Sequence, residues 1–225
     1  IHWAQLVVVC STSRCRYEIE LIEFLLSIKQ PYVKIEFDYN FCLRRNILCT
    51  VDRKISSCCD TKKFHLYRKL FAKAKLNIFQ SPKHYQSHYE FYGEAISNYS
   101  IKPPTVSVED LQPSKFKDED NIPFFGDLNF LKGGKAYVAY AKAHPDKTFP
   151  VYGKNQLREP LPENISFHEP VSNKEVLRIL GQTKTFICQP VWPEPSGRLA
   201  AEAFLSGCNI LGNDRIGTFS FDFYP

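Results

Sequence analysis

The stretch KTFICQPVWPEPSGRLAAEAFLSGCNILGN, residues 184–213, decides the fold. It begins with a short apolar run (184–190) and passes through a proline-rich loop into a helical pattern (196–207). Gly207 closes that helix, and a second apolar run (208–213) follows. A strand, a helix and a strand of these lengths predict a right-handed βαβ unit with parallel strands.

The same alternation extends back to residue 122. Predicted strands cover 122–128, 148–153 and 164–170, and predicted helices cover 132–144 and 172–183. The second of these helices opens with an N-cap signal, because Ser172 is followed three residues later by Glu175. The C-terminal half is therefore predicted to be an α/β domain on a parallel sheet.

The N-terminal half follows a looser version of this pattern. Predicted strands cover 4–10, 32–39 and 76–82, the first of them expected to be buried, and predicted helices cover 17–29, 61–75 and 83–93. Residues 102–120 are rich in proline and charge, which is typical of a linker. We therefore expect two Rossmann-like lobes, residues 1–105 and residues 106–225.

The composition favours a globular protein without a membrane span. The chain has 225 residues, of which 44% are hydrophobic and 24% are charged. No run approaches the ~18 apolar residues of a spanning helix, and no signal peptide opens the sequence, so we expect a cytoplasmic protein. The sequence starts at Ile1 and contains no methionine, which indicates a partial sequence.

Positive charge is concentrated in residues 42–90, which hold eleven Lys or Arg against three acids, a net charge of 11 − 3 = +8. Within it, the helix 61–75 places Phe64, Tyr67 and Phe71 on one face. This predicts peripheral contact with an anionic membrane, and an ordinary surface helix packed on its sheet is the alternative. No recognition module for nucleic acid accompanies the charge.

Seven of the eight cysteines fall into two groups, and Cys15 belongs to neither. Three lie in apolar runs and are expected to be small buried side chains: Cys10, Cys188 and Cys208. Four cluster near His65 without the paired spacing of a structural zinc site: Cys42, Cys49, Cys58 and Cys59. We therefore predict no bound metal.

Two glutamates, Glu194 and Glu202, flank a glycine and an arginine in residues 192–207. Open parallel sheets bind ligands at the carboxyl ends of their strands, and the following helix start offers amides to phosphate. Gly197 allows an anion to approach the backbone, and Arg198 adds a cation. A carboxylate at Glu202 would accept hydrogen bonds from the hydroxyls of a ribose. The pattern predicts a site for a nucleotide diphosphate bonded to a sugar, and a simple Arg198–Glu202 helix pair is the structural alternative.

Lys132 and Gly133 follow the first strand of the C-terminal half, at another helix start on the same sheet edge. A lysine at that end opposes the helix dipole, so an anionic ligand is the better reason for its presence. We therefore place Lys132 beside the diphosphate.

These motifs together resemble family 4 glycosyltransferases of the GT-B fold. The matching segments are the glycine strand with its Lys-Gly (126–133), FPVYGK (149–154), ISFHEPV (165–171) and EPSGRLAAEA (194–203) with its E-x7-E spacing. The likeness covers residues 121–213 well and the first half loosely. It implies that residues 1–105 form the acceptor-side lobe and that residues 106–225 form the nucleotide-sugar-binding lobe.

The resemblance implies a role for each site residue. It assigns Glu194 to the transferred sugar and Glu202 to the ribose. The diphosphate would be bound by Lys132, Gly133, Arg198 and the amides around Ser196 and Gly197. The base would be bordered by the segment from Phe167 through His168 to Val171. It further implies a retaining sugar transfer from a nucleotide sugar to a glycan or lipid-linked acceptor, with Glu194, Lys132 and Arg198 as catalytic residues and no cofactor.

Two departures from the family pattern leave alternatives open. Asp127 stands where the family usually has arginine, and Phe37 stands where it has histidine. A catalytically silent nucleotide-sugar-binding protein and a GT-B-like epimerase of nucleotide sugars are the alternative functions. Glu36 and Asp38 are further candidates for residues facing the cleft from the first lobe.

Overall fold

The computed structural model describes residues 3–12, 15–51, 61–103 and 105–222. The chain divides into two compact units. Unit 1 comprises Ile1–Pro104 and Ser220–Pro225, and unit 2 comprises Thr105–Phe219.

The described part of unit 1 is a parallel four-stranded sheet with helices between its strands. Its strands are β1 (Val7–Val9), β2 (Tyr32–Ile35), β3 (Leu76–Phe79) and β4 (Tyr99–Ile101), in the order β1-β2-β3-β4. Its helices are α1 (Glu18–Ser27), α2 (Leu48–Val51), α3 (Lys62–Lys73) and α4 (Pro82–Tyr92). The predicted strands and the three longer helices are confirmed, whereas β4 was not predicted. Gly93 ends α4 with φ 51°, a backbone region that favours glycine.

The three longer helices of unit 1 form one layer on one face of the sheet. Helix α1 contacts α3, and Phe71 of α3 meets His88 and Tyr92 of α4. On the central strands β2 and β3, the side chains that face this layer are buried, as at Lys34 and Phe79. Because successive strand residues point to opposite faces, the alternate residues form apolar rows on the other face. One such row, fixed by the register, is Val8, Val33 and Leu76.

That arrangement corrects two expectations about the first strand. It was predicted to be buried, yet Val8 is 55% exposed, because β1 is an edge strand and Val8 points away from the helical layer. Cys10, expected to be buried, is exposed just beyond the same strand. Cys208 is buried as expected, and Cys188 is half-buried.

The basic helix α3 uses its aromatic face in the core of unit 1. Tyr67 and Phe71 are fully buried, so that face is not available to a membrane. Two of its lysines form ion pairs with α1, Lys62 with Glu23 at 2.7 Å and Lys63 with Glu18 at 2.9 Å. The alternative, a surface helix packed on its own sheet, is what the structure contains. No described helix is long and apolar enough to cross a membrane.

Among the described residues, no group of three or more histidine, cysteine, aspartate or glutamate side chains is arranged to hold a metal ion. Cys58 and Cys59, two members of the predicted cysteine cluster, lie outside the described residues.

Two histidines of α4, His84 and His88, are fully buried among aromatic rings. The backbone N–H of Gln80 donates to His84 Nδ1 at 3.2 Å, and His88 Nδ1 lies 2.9 Å from the His84 carbonyl oxygen. Burial lowers the pKa of His84 well below its usual value, and burial lowers the pKa of His88 to about 3. Both rings are therefore neutral in the folded protein at neutral pH.

The buried histidines should make the protein sensitive to acid. The unfolded chain takes up protons near pH 6.5, whereas folded His88 does so only near pH 3, so stability falls as the pH is lowered between these values. We expect the free energy of unfolding to lose about 1.4 kcal/mol per pH unit for each such histidine. Urea titrations from pH 7 to pH 5 should show a shallower loss in His88→Phe. Substitution of the exposed His65 by phenylalanine is the control, and an unchanged slope in His88→Phe would contradict the assignment.

Unit 2 is the α/β domain expected from the sequence. Its strands are β5 (Phe124–Phe125), β6 (Phe149–Tyr152), β7 (Ile165–His168), β8 (Thr185–Cys188) and β9 (Asn209–Gly212), and its helices are α5 (Gly134–Ala143), α6 (Asn173–Gln182) and α7 (Arg198–Leu205). Parallel hydrogen bonding joins β5-β6-β7 and β8-β9. Phe124 and Ile187 share one core cluster, and Phe125 and Phe186 share a second, so β5 and β8 are neighbours in the core. The N-cap prediction is confirmed, because the Ser172 hydroxyl accepts from the N–H of Glu175.

Part of the predicted linker is hydrogen-bonded to unit 2 and belongs to it. The Ser114 N–H donates to the Gly181 carbonyl at 2.9 Å, and the Asp118 N–H donates to that of Gln182 at 2.7 Å. Lys117 Nζ donates to the carbonyls of Gly181 at 2.7 Å and Ser206 at 2.5 Å. One lysine thus satisfies backbone oxygens at the ends of both α6 and α7, where the helix dipole favours a cation.

Lys117→Met should destabilise unit 2 while keeping most of the side-chain volume. The carbonyls at the ends of α6 and α7 would lose a charged donor, which is worth about 1.5–3 kcal/mol. Chemical denaturation followed by circular dichroism measures the change. Lys115→Met, at an exposed neighbouring lysine, is the matched control; equal stability of the two variants would exclude the capping role.

Candidate functional site

The site predicted from Glu194 to Glu202 lies where the loop after β8 enters α7. Gly197 precedes the helix with φ 73°, and a Cβ there would come within 2.5 Å of Ile216 Cγ2. Only glycine fits this position. The loop is tied to the segment after β9, because the Glu194 N–H donates to the Arg215 carbonyl at 2.8 Å and the Gly217 N–H donates to the Glu194 carbonyl at 2.9 Å. These bonds hold Glu194 beside the start of α7.

Arg198 and Glu202 form an ion pair on the first turns of α7. Arg198 Nε donates to Glu202 Oε1 at 2.8 Å. The Arg198 side chain is 54% exposed, whereas that of Glu202 is 4% exposed. The helix pair considered from the sequence is therefore present, and its carboxylate is nearly desolvated. Removal of the arginine alone would leave a buried charge without its partner, which is more costly than loss of an exposed pair.

The loop after β5 brings Lys132 to the same edge of the sheet. Gly126 (φ 92°) follows the strand, and a Cβ there would lie 2.8 Å from Lys132 Nζ, so the ammonium group lies directly over this glycine. The Lys132 N–H donates to Asn129 Oδ1 at 2.9 Å. Asn129 therefore fixes the turn that carries the lysine, a role that no motif of the sequence indicated.

Gly133 sets the distance between the two loops. Its φ is 84°, and a Cβ at this position would overlap the carbonyl oxygen of Gln189 in the loop after β8. Two residues on, the Val191 N–H donates to the Leu131 carbonyl at 2.8 Å. The two loops are thus in backbone contact, which places Lys132 and Glu194 in one site.

A cavity of about 200 Å³ opens at this place. Four predicted residues line it, namely Lys132, Glu194, Gly197 and Arg198. The rest of the wall is mostly apolar and includes Phe124, Phe125, Phe186, Ile187, Cys188, Pro190, Leu199 and Ala200. Burial raises the pKa of the Cys188 thiol to about 12, with Glu194 adding to the effect, so Cys188 is a neutral wall residue rather than a nucleophile. Two cations and one carboxylate at a helix start suit an anionic ligand with a polar substituent.

Other predicted site residues of unit 2 lie outside this cavity lining. Ser196 accepts from the Thr218 N–H through its carbonyl at 2.6 Å, which anchors the loop before α7. On β7, Phe167 is 40% exposed, and His168 Nε2 lies 3.0 Å from Ser166 Oγ. Val171 packs against the core cluster of α6. Gly133 and Glu202 adjoin the site through Gln189 and Arg198, as described above.

Asp127 points away from the cavity. Its Oδ1 accepts from the Lys154 N–H at 3.0 Å, and its Oδ2 accepts from Gln156 Nε2 at 2.6 Å. Both oxygens are thus directed to the loop after β6, and Asp127 is absent from the cavity lining. A carboxylate placed in this way adds little like-charge repulsion toward an anionic ligand bound at Lys132 and Arg198.

The two unit 1 candidates differ in their surroundings. Glu36 is fully buried and accepts from Lys34 Nζ at 2.9 Å, and Lys34 is also fully buried. This pair was not predicted. Two opposite charges two residues apart on the buried face of a strand were the signal for it. Asp38 accepts from the Tyr39 N–H at 2.7 Å and pairs with Arg45, and burial raises its pKa. Phe37, between them, is 50% exposed.

Gly133→Ala should strongly destabilise unit 2 because it adds both backbone strain and a clash with the Gln189 carbonyl. Gly207→Ala is the matched control, since Gly207 has a similar φ of 80° but a Cβ there would meet only Lys117 at 3.7 Å. We expect Gly207→Ala to cost about 1–2 kcal/mol from strain, and Gly133→Ala to cost clearly more. Equal losses in urea denaturation would contradict the close loop contact.

No protein-family model matches the sequence, and no curated protein matches it. Solved structures do match the fold. A sucrose-phosphate synthase from Thermosynechococcus elongatus has a TM-score of 0.70 at 13% identity, with 96% of this chain and 57% of that chain covered. Anabaena HepE in complex with UDP and glucose has a TM-score of 0.67 at 15% identity, with 95% and 60% covered.

The catalytic domain of starch synthase IV from Arabidopsis thaliana, bound to ADP and acarbose, has a TM-score of 0.61 at 8% identity, with 98% and 60% covered. The chain thus spans 57–60% of the length of these three proteins. The predicted fold class is confirmed: the chain has an α/β fold of the GT-B type, with parallel sheets in both units.

Proposed function

We propose that this protein is a glycosyltransferase that moves a sugar from a nucleotide diphosphate sugar to a glycan or lipid-linked acceptor. The observation that carries the proposal is the cavity in unit 2 where Lys132, Glu194, Gly197 and Arg198 meet. Two neighbours of the fold were solved with UDP or ADP, which supports a nucleotide ligand for this chain as well.

The charges of the site suit departure of a diphosphate. When the bond from the anomeric carbon to the diphosphate oxygen breaks, negative charge builds up on the leaving group. Lys132, Arg198 and the start of α7 present positive charge to that group without reorganisation. Glu194, which lies in the same cavity, would bind hydroxyls of the transferred sugar. The acceptor hydroxyl forms the new bond to the anomeric carbon and gives its proton to the departing diphosphate oxygen.

Glu202 is proposed to bind the ribose while it holds Arg198. Its Oε1 accepts from Arg198 at 2.8 Å, which leaves Oε2 for a ribose hydroxyl. The proposal further includes retention of the anomeric configuration and independence of a bound metal. Phe167, His168 and Val171 are proposed to lie at the base.

A catalytically silent nucleotide-sugar-binding protein is the second candidate. Phe37, half exposed at the end of β2, favours it, because phenylalanine supplies no hydrogen bond to a sugar. Asp127 no longer favours it, since its carboxylate is directed to Lys154 and Gln156. Both candidates bind a nucleotide sugar, but only the glycosyltransferase turns it over.

Nucleotide binding tests the proposal directly. A thermal-shift panel of UDP, GDP and ADP and their common sugars should raise the melting temperature with one base, because a ligand of the folded state stabilises it by mass action. The shift should disappear in Lys132→Ala and in Glu202→Ala. Lys142→Ala, at an exposed lysine near the end of α5, should keep it.

The outcomes separate the candidates. A shift that persists in Lys132→Ala and Glu202→Ala would contradict the site. Binding without sugar transfer to any added acceptor would favour the silent protein, and Phe37→His would then be the informative variant. Isomerised nucleotide sugar in the absence of an acceptor would favour an epimerase. Proton NMR of the product's anomeric signal decides between retention and inversion.

A further inference from the structure

Unit 1 has a groove of its own. It encloses about 500 Å³ beside the start of α4 and the edge strand β4. Its walls combine aromatic, amide and charged side chains, including Tyr85, Tyr99, Gln86, Lys83 and Glu90. None of these residues was singled out by the sequence pattern as a site.

The aromatic part of the groove is an exposed platform. The rings of Tyr85 and Tyr99 stack with centroids 3.7 Å apart and planes 12° apart. Tyr99 is 42% exposed. Aromatic faces are normally among the largest contributors to buried surface. An exposed stack in a groove therefore indicates a ligand with an apolar face of its own.

The polar part of the groove indicates a neutral ligand. A helix start attracts anions through its N–H groups, but those of α4 are used: the Lys83 N–H donates to Ser220 Oγ at 3.0 Å and the His84 N–H to Ser81 Oγ at 3.0 Å. Pro82 has no N–H to offer. Lys83 and Glu90 bring opposite charges to the lining. A phosphate or a nucleotide has no advantage here.

We propose that this groove binds a neutral oligosaccharide, with one sugar ring stacked on Tyr99. A pyranose has an apolar C–H face for the aromatic ring and hydroxyls that both donate and accept hydrogen bonds. Gln86 supplies a donor and an acceptor on the rim, and Glu90 supplies acceptors. Aromatic grooves also bind proline-rich peptides; the preference for a glycan rests on the proposed function and on the paired donors and acceptors of the rim.

Binding of defined oligosaccharides without nucleotide tests this site. Maltoheptaose, cellohexaose and chitohexaose are titrated separately at millimolar concentration and followed by saturation-transfer NMR. We expect at least one to bind, with saturation transferred to its ring protons, and we expect Tyr99→Ala to raise its Kd by about tenfold or more. Gln86→Ala, at an exposed side chain, should weaken binding of the same sugar and should not affect folding.

Tyr17→Ala is the matched control, because Tyr17 is a 58% exposed tyrosine of unit 1 outside the groove. This variant should bind the sugar with the same Kd as the parent protein. Absence of binding by all three sugars, or equal binding in Tyr99→Ala, overturns the proposal, as does binding of decaproline in their place. Glu202→Ala should keep the sugar binding, so failure of the donor site and failure of this groove give different results.

Discussion

The candidate site depends on the close backbone approach between Gly133 and Gln189. These residues belong to loops that follow two neighbouring strands, β5 and β8, and a side chain at position 133 would separate the loops. Because they touch, Lys132 from one loop and Glu194 and Arg198 from the other line one cavity. A parallel sheet brings the ends of its strands to one edge, but only a residue without a Cβ allows the loops beyond those ends to meet.

The pairing of Arg198 with Glu202 gives the site its electrostatic character. The carboxylate is buried and the guanidinium is half exposed, so the pair presents its positive end outward. A structural helix pair and a binding site are therefore not exclusive interpretations of these residues. The same contact that neutralises a buried glutamate also orients an arginine at the helix start, where an anion is already favoured.

Much of this architecture could be predicted, because it depends on local periodicity and on the geometry of parallel strands. The βαβ order of unit 2, the Ser172 cap and the meeting of Lys132 with Arg198 follow from those rules. The direction of Asp127 could not be predicted, since it depends on a hydrogen bond to Lys154, 27 residues away in the chain. The capping by Lys117 depends likewise on where two helix ends converge, which no local pattern encodes.

The basic character of residues 42–90 shows why composition alone is a weak guide to partners. Lys62 and Lys63 are neutralised by α1, and Lys73 donates to the carbonyls of Leu26 and Ile28 at the end of that helix. These cations attach α3 to its neighbour inside unit 1 and are not an unpaired positive surface. Charge counted along the chain becomes an argument about a partner only after such internal contacts are subtracted. In unit 2, where Lys132 and Arg198 both line one cavity, the positive charge remains directed at the place where a ligand would lie.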